Sequence, residues 1–320
     1  MNEKIIKRIV NKTGVSNLVE VLAKKLSMTD LQSLLLEIYR RRTNNLKTKD
    51  LLENYKKNRF VKPSTIDPEK LLRFNQLAYS ILPKDFKIIE LSPVSPLGSC
   101  SIVSPVDQNN VVSSLRNTEV VSDSTNVLAL ECVIRRKEIY RKKQDAGKQI
   151  KLCSSHRQLR AQQFDEPAAF PHFQLFCLVT AGRDNGSFKF EQKSLTEHLF
   201  YYLRLLNELK NINIKIHCCS VEIFPFDNDL VPFLDAELSK NLKIQFPETN
   251  FNINQSTQDN TYYSNLRFQI FCSNKQGEKY LIVDGGFTDW TQKLLSNKKE
   301  RFLTSGIGSE RLIFCFAYIN

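Results

Sequence analysis

The pattern of apolar positions changes once along the chain, near residue 62. In residues 1–58 apolar side chains recur at loosely helical spacing between short polar turns, which predicts a small helical module. The stretch FVKPSTIDP, with two prolines and a polar cluster, marks a boundary. Asp67 and the proline after it have the residue types of a helix N-terminus, and the following apolar stripe predicts an amphipathic helix over 68–82.

After residue 83 short apolar runs typical of β-strands dominate. The predicted strands are FKIIELSPV, EVVSD, IKLCSSHRQLRAQ, FQLFCLVTAG, FKFEQ, IKIHCCSVEIF, YYSNLRFQIFCS and KYLIVDGGF. Helical patterns lie at 124–137, 194–210, 288–296 and 309–318. The turns DNGS (184–187) and NKQG (274–277) are of the hairpin type and favour an antiparallel sheet. The sequence therefore predicts an α+β fold, in which a helical module (1–62) precedes a core (63–320) of antiparallel β-sheet flanked by helices.

Composition narrows the classes of protein that the chain can belong to. With 320 residues, 41% hydrophobic and 25% charged, it is typical of a globular protein, and no apolar run reaches the length of a membrane span. The start has no secretory signal, so we expect a cytoplasmic protein. The eight cysteines form no C-x-x-C pair and lie mostly in apolar or strand-like runs, which favours reduced core thiols and no metal site.

Positive charge is concentrated at the start of the chain. The net charge is +12, and residues 1–62 alone carry fifteen Lys and Arg against six Asp and Glu. A basic segment of this kind can attract RNA, an anionic lipid surface or an acidic protein, although it can also be a solvated helix face. We expect a tRNA or a protein as its partner, and no membrane.

The stretch GIGSERLIF (306–314) is the first candidate for chemistry. Gly306 and Gly308 stand before a predicted helix whose first turn carries Arg311. The glycines would let a ligand approach closely, and an arginine keeps its charge and offers five fixed donors, which suits a phosphate group. A C-terminal helix with an ordinary surface arginine is the alternative.

This stretch resembles the third motif of class II aminoacyl-tRNA synthetases, where an arginine-bearing helix after Gly-x-Gly faces ATP. VDGGFTDWTQKL (283–294) and DNTYYSNLRFQIF (259–271) are similar to segments of the histidyl-tRNA synthetase-like branch. The resemblance covers roughly 68–320 and implies a catalytic core that binds ATP with magnesium (Mg²⁺). It assigns four residues to the substrate site: Tyr262, Tyr263, Gly285 and Gly286.

A second motif of that class joins an arginine on one antiparallel strand to a phenylalanine on the next through a loop. HRQLRAQ (156–162), FDEPAAFP and HFQLFCLVTAG have this arrangement. The resemblance implies that Arg160 grips the α-phosphate and the carboxylate of the acid, with Arg157 in reserve, and that Phe173 stacks on adenine. Strand alternation can also produce such arginines, and Phe173 can be a core residue.

Two further segments are similar to parts of the same core. EVVSDSTNVLALE resembles the acidic-x-Thr turn that holds the substrate amino group, which implies this role for Asp123 with Thr125; Asp123 can equally be a helix N-cap. The helix at 68–82, followed by FKIIELSPVSP, resembles the first motif of the class. It implies a homodimer with Pro93, or Pro96, at its interface.

Departures from the family bear on function. QDNT (258–261) stands where the histidine-activating enzymes have an arginine, and Gln162 replaces an acidic residue after the second-motif arginine. We also expect no C-terminal anticodon-binding domain. The sequence thus indicates an ATP-binding paralogue that activates a carboxylic or amino acid as an acyl-adenylate. The alternative is a non-catalytic subunit that resembles the ATP phosphoribosyltransferase regulatory subunit.

Overall fold

The computed structural model describes residues 3–162, 170–237, 241–254 and 262–317. The first part of the chain is helical, as the sequence predicts. Its helices are α1 (Glu3–Thr13), α2 (Leu18–Glu20), α3 (Met28–Thr43) and α4 (Thr48–Lys57), with a π-helical turn at Val21–Lys25 and a 3-10 turn at Arg59–Val61. None of the residues in these elements is buried, so this part of the chain adds little to the core.

The body of the protein is built on one large sheet. Its strands are β1 (Lys87–Ile88), β5 (Ile150–Leu159), β6 (His172–Arg183), β7 (Cys218–Pro225), β8 (Asn250–Ile253), β9 (Ser264–Ser273), β10 (Lys279–Thr288) and β11 (Glu300–Gly308). A small sheet contains β2 (Val94–Pro96), β3 (Ser113–Ser114) and β4 (Thr118–Val120). The large sheet has the order β1-β5-β6-β11-β10-β9-β7-β8, with antiparallel central pairings and parallel pairs at both edges. The predicted α+β class is therefore confirmed.

Helices cover both faces of this sheet. They are α5 (Pro68–Ser80), α6 (Ser99–Val103), α7 (Ser124–Arg141), α8 (Lys189–Glu208), α9 (Val231–Glu237), α10 (Lys243–Gln245), α11 (Trp290–Leu295) and α12 (Ser309–Phe316). Alternate residues of β6 belong to two core clusters: Phe176 and Leu178 to one with α5 and α8, Cys177 and Val179 to the other with α7 and α11. This is the period-two pattern of a strand that is buried on both sides.

Two strand predictions are wrong. FKFEQ, expected as a strand, lies largely in the first turn of α8, whose buried residues Leu195, Leu199 and Tyr202 recur at spacings of four and three residues. The DNGS turn consequently joins a strand to a helix. The segment predicted as one strand, FKIIELSPV, contains only the short strand β1 and the start of β2. Conversely, β11 is a central strand that the apolar pattern missed, because polar residues and glycines occupy much of it.

Other expectations hold. Asp67 caps α5 by accepting a hydrogen bond from the backbone N–H of Glu69 (2.9 Å), and NKQG joins β9 to β10. All eight cysteines are free thiols, most of them buried. Within the described ranges, no helix combines the length and the apolar character that crossing a membrane requires.

Candidate active site

A cavity of about 560 Å³ lies over the four central strands β6, β11, β10 and β9, beside the start of α7. Its charged lining residues are Asp123, Arg160, Arg267, Asp284 and Arg311. Its aromatic lining residues are Phe170, Phe173, Tyr262 and Tyr263. A ligand in this cavity would meet aromatic faces and fixed charges together, which is the usual make-up of a small-molecule site.

The predicted phosphate and adenine contacts both line this cavity. Arg160 follows β5, and Phe173 lies at the start of the neighbouring strand β6. The guanidinium Cζ of Arg160 lies 5.2 Å from the centroid of the Phe173 ring, and its Nε donates to the carbonyl of Ser122 (3.3 Å). Its Nη2 is 3.9 Å from Oδ2 of Asp123, which orients the positive charge at the cavity wall.

Asp123 is both a helix cap and a wall of the cavity. Its Oδ1 accepts hydrogen bonds from the backbone N–H (3.0 Å) and the hydroxyl (2.7 Å) of Thr125. Its Oδ2 accepts from the Tyr262 hydroxyl at 2.9 Å. Burial and the nearby Asp123 charge raise the pKa of Tyr262 well above its usual value, so the phenol stays a donor. The N-cap interpretation is correct, and Asp123 also lines the cavity.

An ion pair on the cavity floor was missed by the sequence analysis. Arg267 of β9 donates from Nε to Oδ1 of Asp284 in β10 (2.9 Å) and from Nη2 to Oδ2 (3.1 Å). The Tyr263 hydroxyl donates to the same Oδ2 (3.2 Å), and its ring centroid lies 5.7 Å from the guanidinium Cζ. The strand register, with Arg267 opposite Gly286, brings the two charges together. The NKQG hairpin was the available signal, because its register decides which side chains of β9 and β10 meet.

The four predicted glycines divide into two groups. Gly306 and Gly308 line the cavity, whereas Gly285 and Gly286 are not among its lining residues. A Cβ on Gly286 would lie 2.5 Å from the Leu266 carbonyl oxygen and 2.6 Å from the Tyr263 ring. The glycine pair therefore acts on the site indirectly, by letting β9 and Tyr263 pack closely against β10.

The two remaining predicted arginines lie in different places. Arg311, in the first turn of α12, lines the cavity. Arg157 is not among the lining residues: its Nη2 donates to the fully buried carboxylate of Glu310, and its Nη1 lies 2.9 Å from Nδ1 of His172. The reserve role of Arg157 in gripping phosphate thus finds no support in its position, and the residue instead anchors the start of α12.

Residues 59–64, which we call the strap, connect the N-terminal helices to both sides of the site. Arg59 donates to the carbonyls of Ala161 and Gln162, directly after Arg160. The Lys62 carbonyl oxygen accepts from Nε2 of His172 at 2.6 Å. At the far end of the strap, the Ser64 hydroxyl donates to Oε2 of Glu310 (3.0 Å), the residue before Arg311.

Three further sequence predictions can be placed. Gln162 lines the cavity, next to the predicted phosphate grip. Pro96 lies in β2 of the small sheet, and the Pro93 carbonyl accepts from the backbone N–H of Val121 (3.1 Å). The QDNT segment (258–261) lies outside the described residues, as does most of the second-motif loop.

The mostly antiparallel sheet, with an arginine-bearing helix directly after a central strand that ends in Gly-x-Gly, defines a class II aminoacyl-tRNA synthetase-like fold. Solved structures bear this out. The chain is similar to apo histidyl-tRNA synthetase from S. aureus, with a TM-score of 0.55 and 16% identity over 79% of this chain and 68% of that one. The predicted resemblance is thus confirmed for the fold.

Two other solved structures give the same result. One is described as an ATP phosphoribosyltransferase regulatory subunit/histidyl-tRNA synthetase from Bacillus halodurans, with a TM-score of 0.54, 12% identity, and coverage of 80% of this chain and 82% of that one. The other is histidyl-tRNA synthetase from Nostoc sp. PCC 7120, with a TM-score of 0.51, 13% identity, and coverage of 80% and 74%. No model of a known protein family and no curated protein sequence matches the chain. At such low identity the likeness concerns the fold alone.

Proposed function

We propose that this protein binds ATP in the cavity and activates a carboxylic acid, such as an amino acid, as an acyl-adenylate. One observation carries the proposal: Arg160, Phe173 and Arg311 line a single cavity although they come from the end of β5, from β6 and from α12. Each has the chemistry that its predicted contact needs, two guanidiniums for phosphates and a ring for adenine.

The cavity fits a nucleotide in size and charge. Its volume of about 560 Å³ falls in the range of roughly 300–1,000 Å³ that is typical of ligand sites. Among the described residues that line it are three arginines, whose guanidinium donors suit the phosphates of a nucleotide. We propose that Mg²⁺ enters with the phosphates, because one or two carboxylates together with substrate phosphates commonly hold this ion.

The proposed reaction needs positioning and charge neutralisation. A carboxylate oxygen of the acid attacks the α-phosphorus of ATP, and pyrophosphate leaves. Arg160 would hold the carboxylate and the α-phosphate, and Arg311 the γ-phosphate, while Asp123 with Thr125 would hold an amino group. Fixed guanidiniums of this kind stabilise charge that develops on phosphate oxygens without reorganising during the reaction.

A non-catalytic binding or regulatory subunit is the second candidate. It is retained because one similar solved structure is described as a regulatory subunit/histidyl-tRNA synthetase, and this chain covers 82% of it. Such a protein would bind its ligand without releasing pyrophosphate. For either function we propose a homodimer, and a tRNA or protein partner at the basic N-terminal helices.

Calorimetric titration with ATP and magnesium tests the proposal. Wild-type protein should bind ATP, and Arg311→Ala should weaken binding by about 10- to 100-fold, the loss expected for hydrogen bonds to a charged group. Arg41→Ala is the matched control, since Arg41 is an exposed residue of α3 paired with Glu37. Both variants should remain folded, which thermal unfolding followed by circular dichroism would show. Unchanged affinity in Arg311→Ala would contradict the assignment.

Pyrophosphate release separates the two candidate functions. Release that depends on an added amino acid would support the adenylating enzyme. Binding of ATP without release, for all of the common amino acids, would favour the regulatory subunit. A wild-type protein that binds no ATP would refute the proposed nucleotide site altogether.

A further inference from the structure

The Arg267–Asp284 pair lies at the opposite end of the cavity from Phe173. In the strand order β6-β11-β10-β9, Arg267 is three strand spacings from Phe173 and Asp284 two, or about 14 Å and about 10 Å at roughly 4.8 Å for each spacing. A nucleotide that stacks its base near Phe173 would therefore leave the β9 end for the second ligand. Asp123 and Tyr262, which hydrogen bond to each other, also line the cavity.

This ion pair is held in place yet open to the cavity. The side chain of Arg267 is 29% exposed and that of Asp284 36%, so neither is sealed into the core. Two hydrogen bonds fix the guanidinium against the carboxylate, and the Tyr263 hydroxyl holds the same carboxylate from another side. The pair thus presents a preset surface, which lowers the entropy cost of binding a ligand.

Donors and acceptors remain on this surface. A guanidinium has five N–H groups, and within the described part of the chain Arg267 uses two of them on Asp284. Oδ1 of Asp284 accepts one hydrogen bond there and has room for another. The pair is neutral overall, so it offers adjacent donor and acceptor atoms rather than an uncompensated charge. A primary carboxamide, with a carbonyl acceptor and an N–H₂ donor, has the complementary pattern.

We propose that the Arg267–Asp284 pair selects the acid substrate, and that this substrate ends in a carboxamide or an equivalent acceptor-and-donor group. The inference rests on the proposed function and adds the substrate class. An apolar tail of the same size would cover the pair without satisfying it. Sites built on buried hydrogen bonds reject such analogues strongly, because polar groups are then left without partners.

Isosteric acids test the selection directly. Asparagine and leucine are similar in size, as are glutamine and methionine, and only the amides carry the complementary group. Pyrophosphate release with ATP and magnesium, measured for each of the four acids, should favour an amide over its apolar counterpart by about 100-fold or more. Aspartate and glutamate, which offer acceptors alone, should be poorer than their amides.

A double variant in which Arg267 and Asp284 exchange places distinguishes substrate recognition by the pair from a purely structural role of the ion pair. Arg267→Asp with Asp284→Arg keeps two opposite charges in contact but reverses the donor and the acceptor. We expect it to lose the response to the amide acids, and calorimetric titration with ATP then shows separately whether the nucleotide site is retained. The control exchange is Glu138→Arg with Arg141→Glu, an exposed pair in α7, which should leave both properties unchanged. If the exchanged protein does not fold, Arg267→Lys, which keeps the charge but loses the fork of donors, replaces it.

The outcomes distinguish this inference from the proposed function. Leucine or methionine supporting release as well as the amides would overturn the selection, as would a preference for aspartate or glutamate. An exchanged pair that keeps the amide response would overturn it too. If wild-type protein binds ATP but responds to none of these acids, the selection fails and the nucleotide site stands. If it binds no ATP, both fail.

Discussion

Replacing Gly286 with alanine would push a methyl group into atoms that cannot all move away. Its Cβ would lie 2.5 Å from the carbonyl oxygen of Leu266 and 2.6 Å from the Tyr263 ring, both well inside normal contact. The ring could turn only by giving up the hydrogen bond from its hydroxyl to Asp284. The Leu266 oxygen belongs to the β9 backbone, so β9 and β10 would have to separate locally.

The expected cost follows from this overpacking. Added methyl groups in packed positions cost about 1–3 kcal/mol of unfolding free energy. At about 2–4 °C for each kcal/mol in a large domain, Gly286→Ala should lower the melting temperature by about 2–12 °C. Thermal unfolding followed by circular dichroism measures this shift. ATP affinity, measured below the transition, should fall less than in Arg311→Ala, because Gly286 does not line the cavity.

Gly308 is the matched control for this substitution. A Cβ there would meet the Arg311 Cβ at 3.5 Å, an ordinary contact, and its φ of −72° suits any residue. Gly308→Ala should therefore change the melting temperature by no more than about 2 °C, equivalent to about 0.5 kcal/mol, yet reduce ATP affinity by narrowing the cavity. If Gly286→Ala melts at the wild-type temperature, the described packing of β9 against β10 is wrong.

Two further predictions concern buried charge. Glu300→Ala should lower the unfolding free energy in urea by about 3–5 kcal/mol, because it leaves the fully buried Arg136 without its carboxylate; Glu138→Ala, at an exposed pair, should cost little. Burial lowers the pKa of His198 to about 3, whereas a histidine in the unfolded chain has a pKa of about 6.5. Between these two pH values the unfolded state therefore binds more protons than the folded state. The unfolding free energy should therefore fall as the pH drops below about 6.5. In His198→Gln its dependence on pH should be shallower, by up to about 1.4 kcal/mol for each pH unit. An unchanged slope would contradict the buried neutral histidine.

Local signals in the sequence predicted much of this fold. Asp67 with its proline identified the start of α5, and NKQG identified the β9–β10 hairpin, because caps and turns depend on a few neighbouring residues. The order of the glycine and arginine segments led to the correct fold class. Arg160, Phe173 and Arg311, chosen by resemblance, do line one cavity.

What the sequence did not predict depends on contacts between distant segments. Arg157 lies within β5 and donates to Glu310 at the start of α12, whereas Arg160 lies just past the end of β5 and lines the cavity. The Arg267–Asp284 pair depends on the register of two strands, because a shift of one strand by one residue would turn its side chain to the opposite face of the sheet. Strand β11 has polar residues at its centre, where it forms part of the cavity floor. It therefore lacks the long apolar run by which the other strands were predicted.

The strap bears on how a truncated form of this protein would behave, because its residues contact the site as well as the N-terminal helices. A fragment that begins at residue 63 loses the Arg59 contacts beside Arg160 and the Lys62 carbonyl that pairs with His172. Removing residues 1–62 would therefore alter the core itself as well as removing the N-terminal helices. Thermodynamic linkage extends this in the other direction: if a ligand in the cavity and a partner of the N-terminal helices both bind more tightly when the strap is seated, each raises the affinity for the other by the same factor.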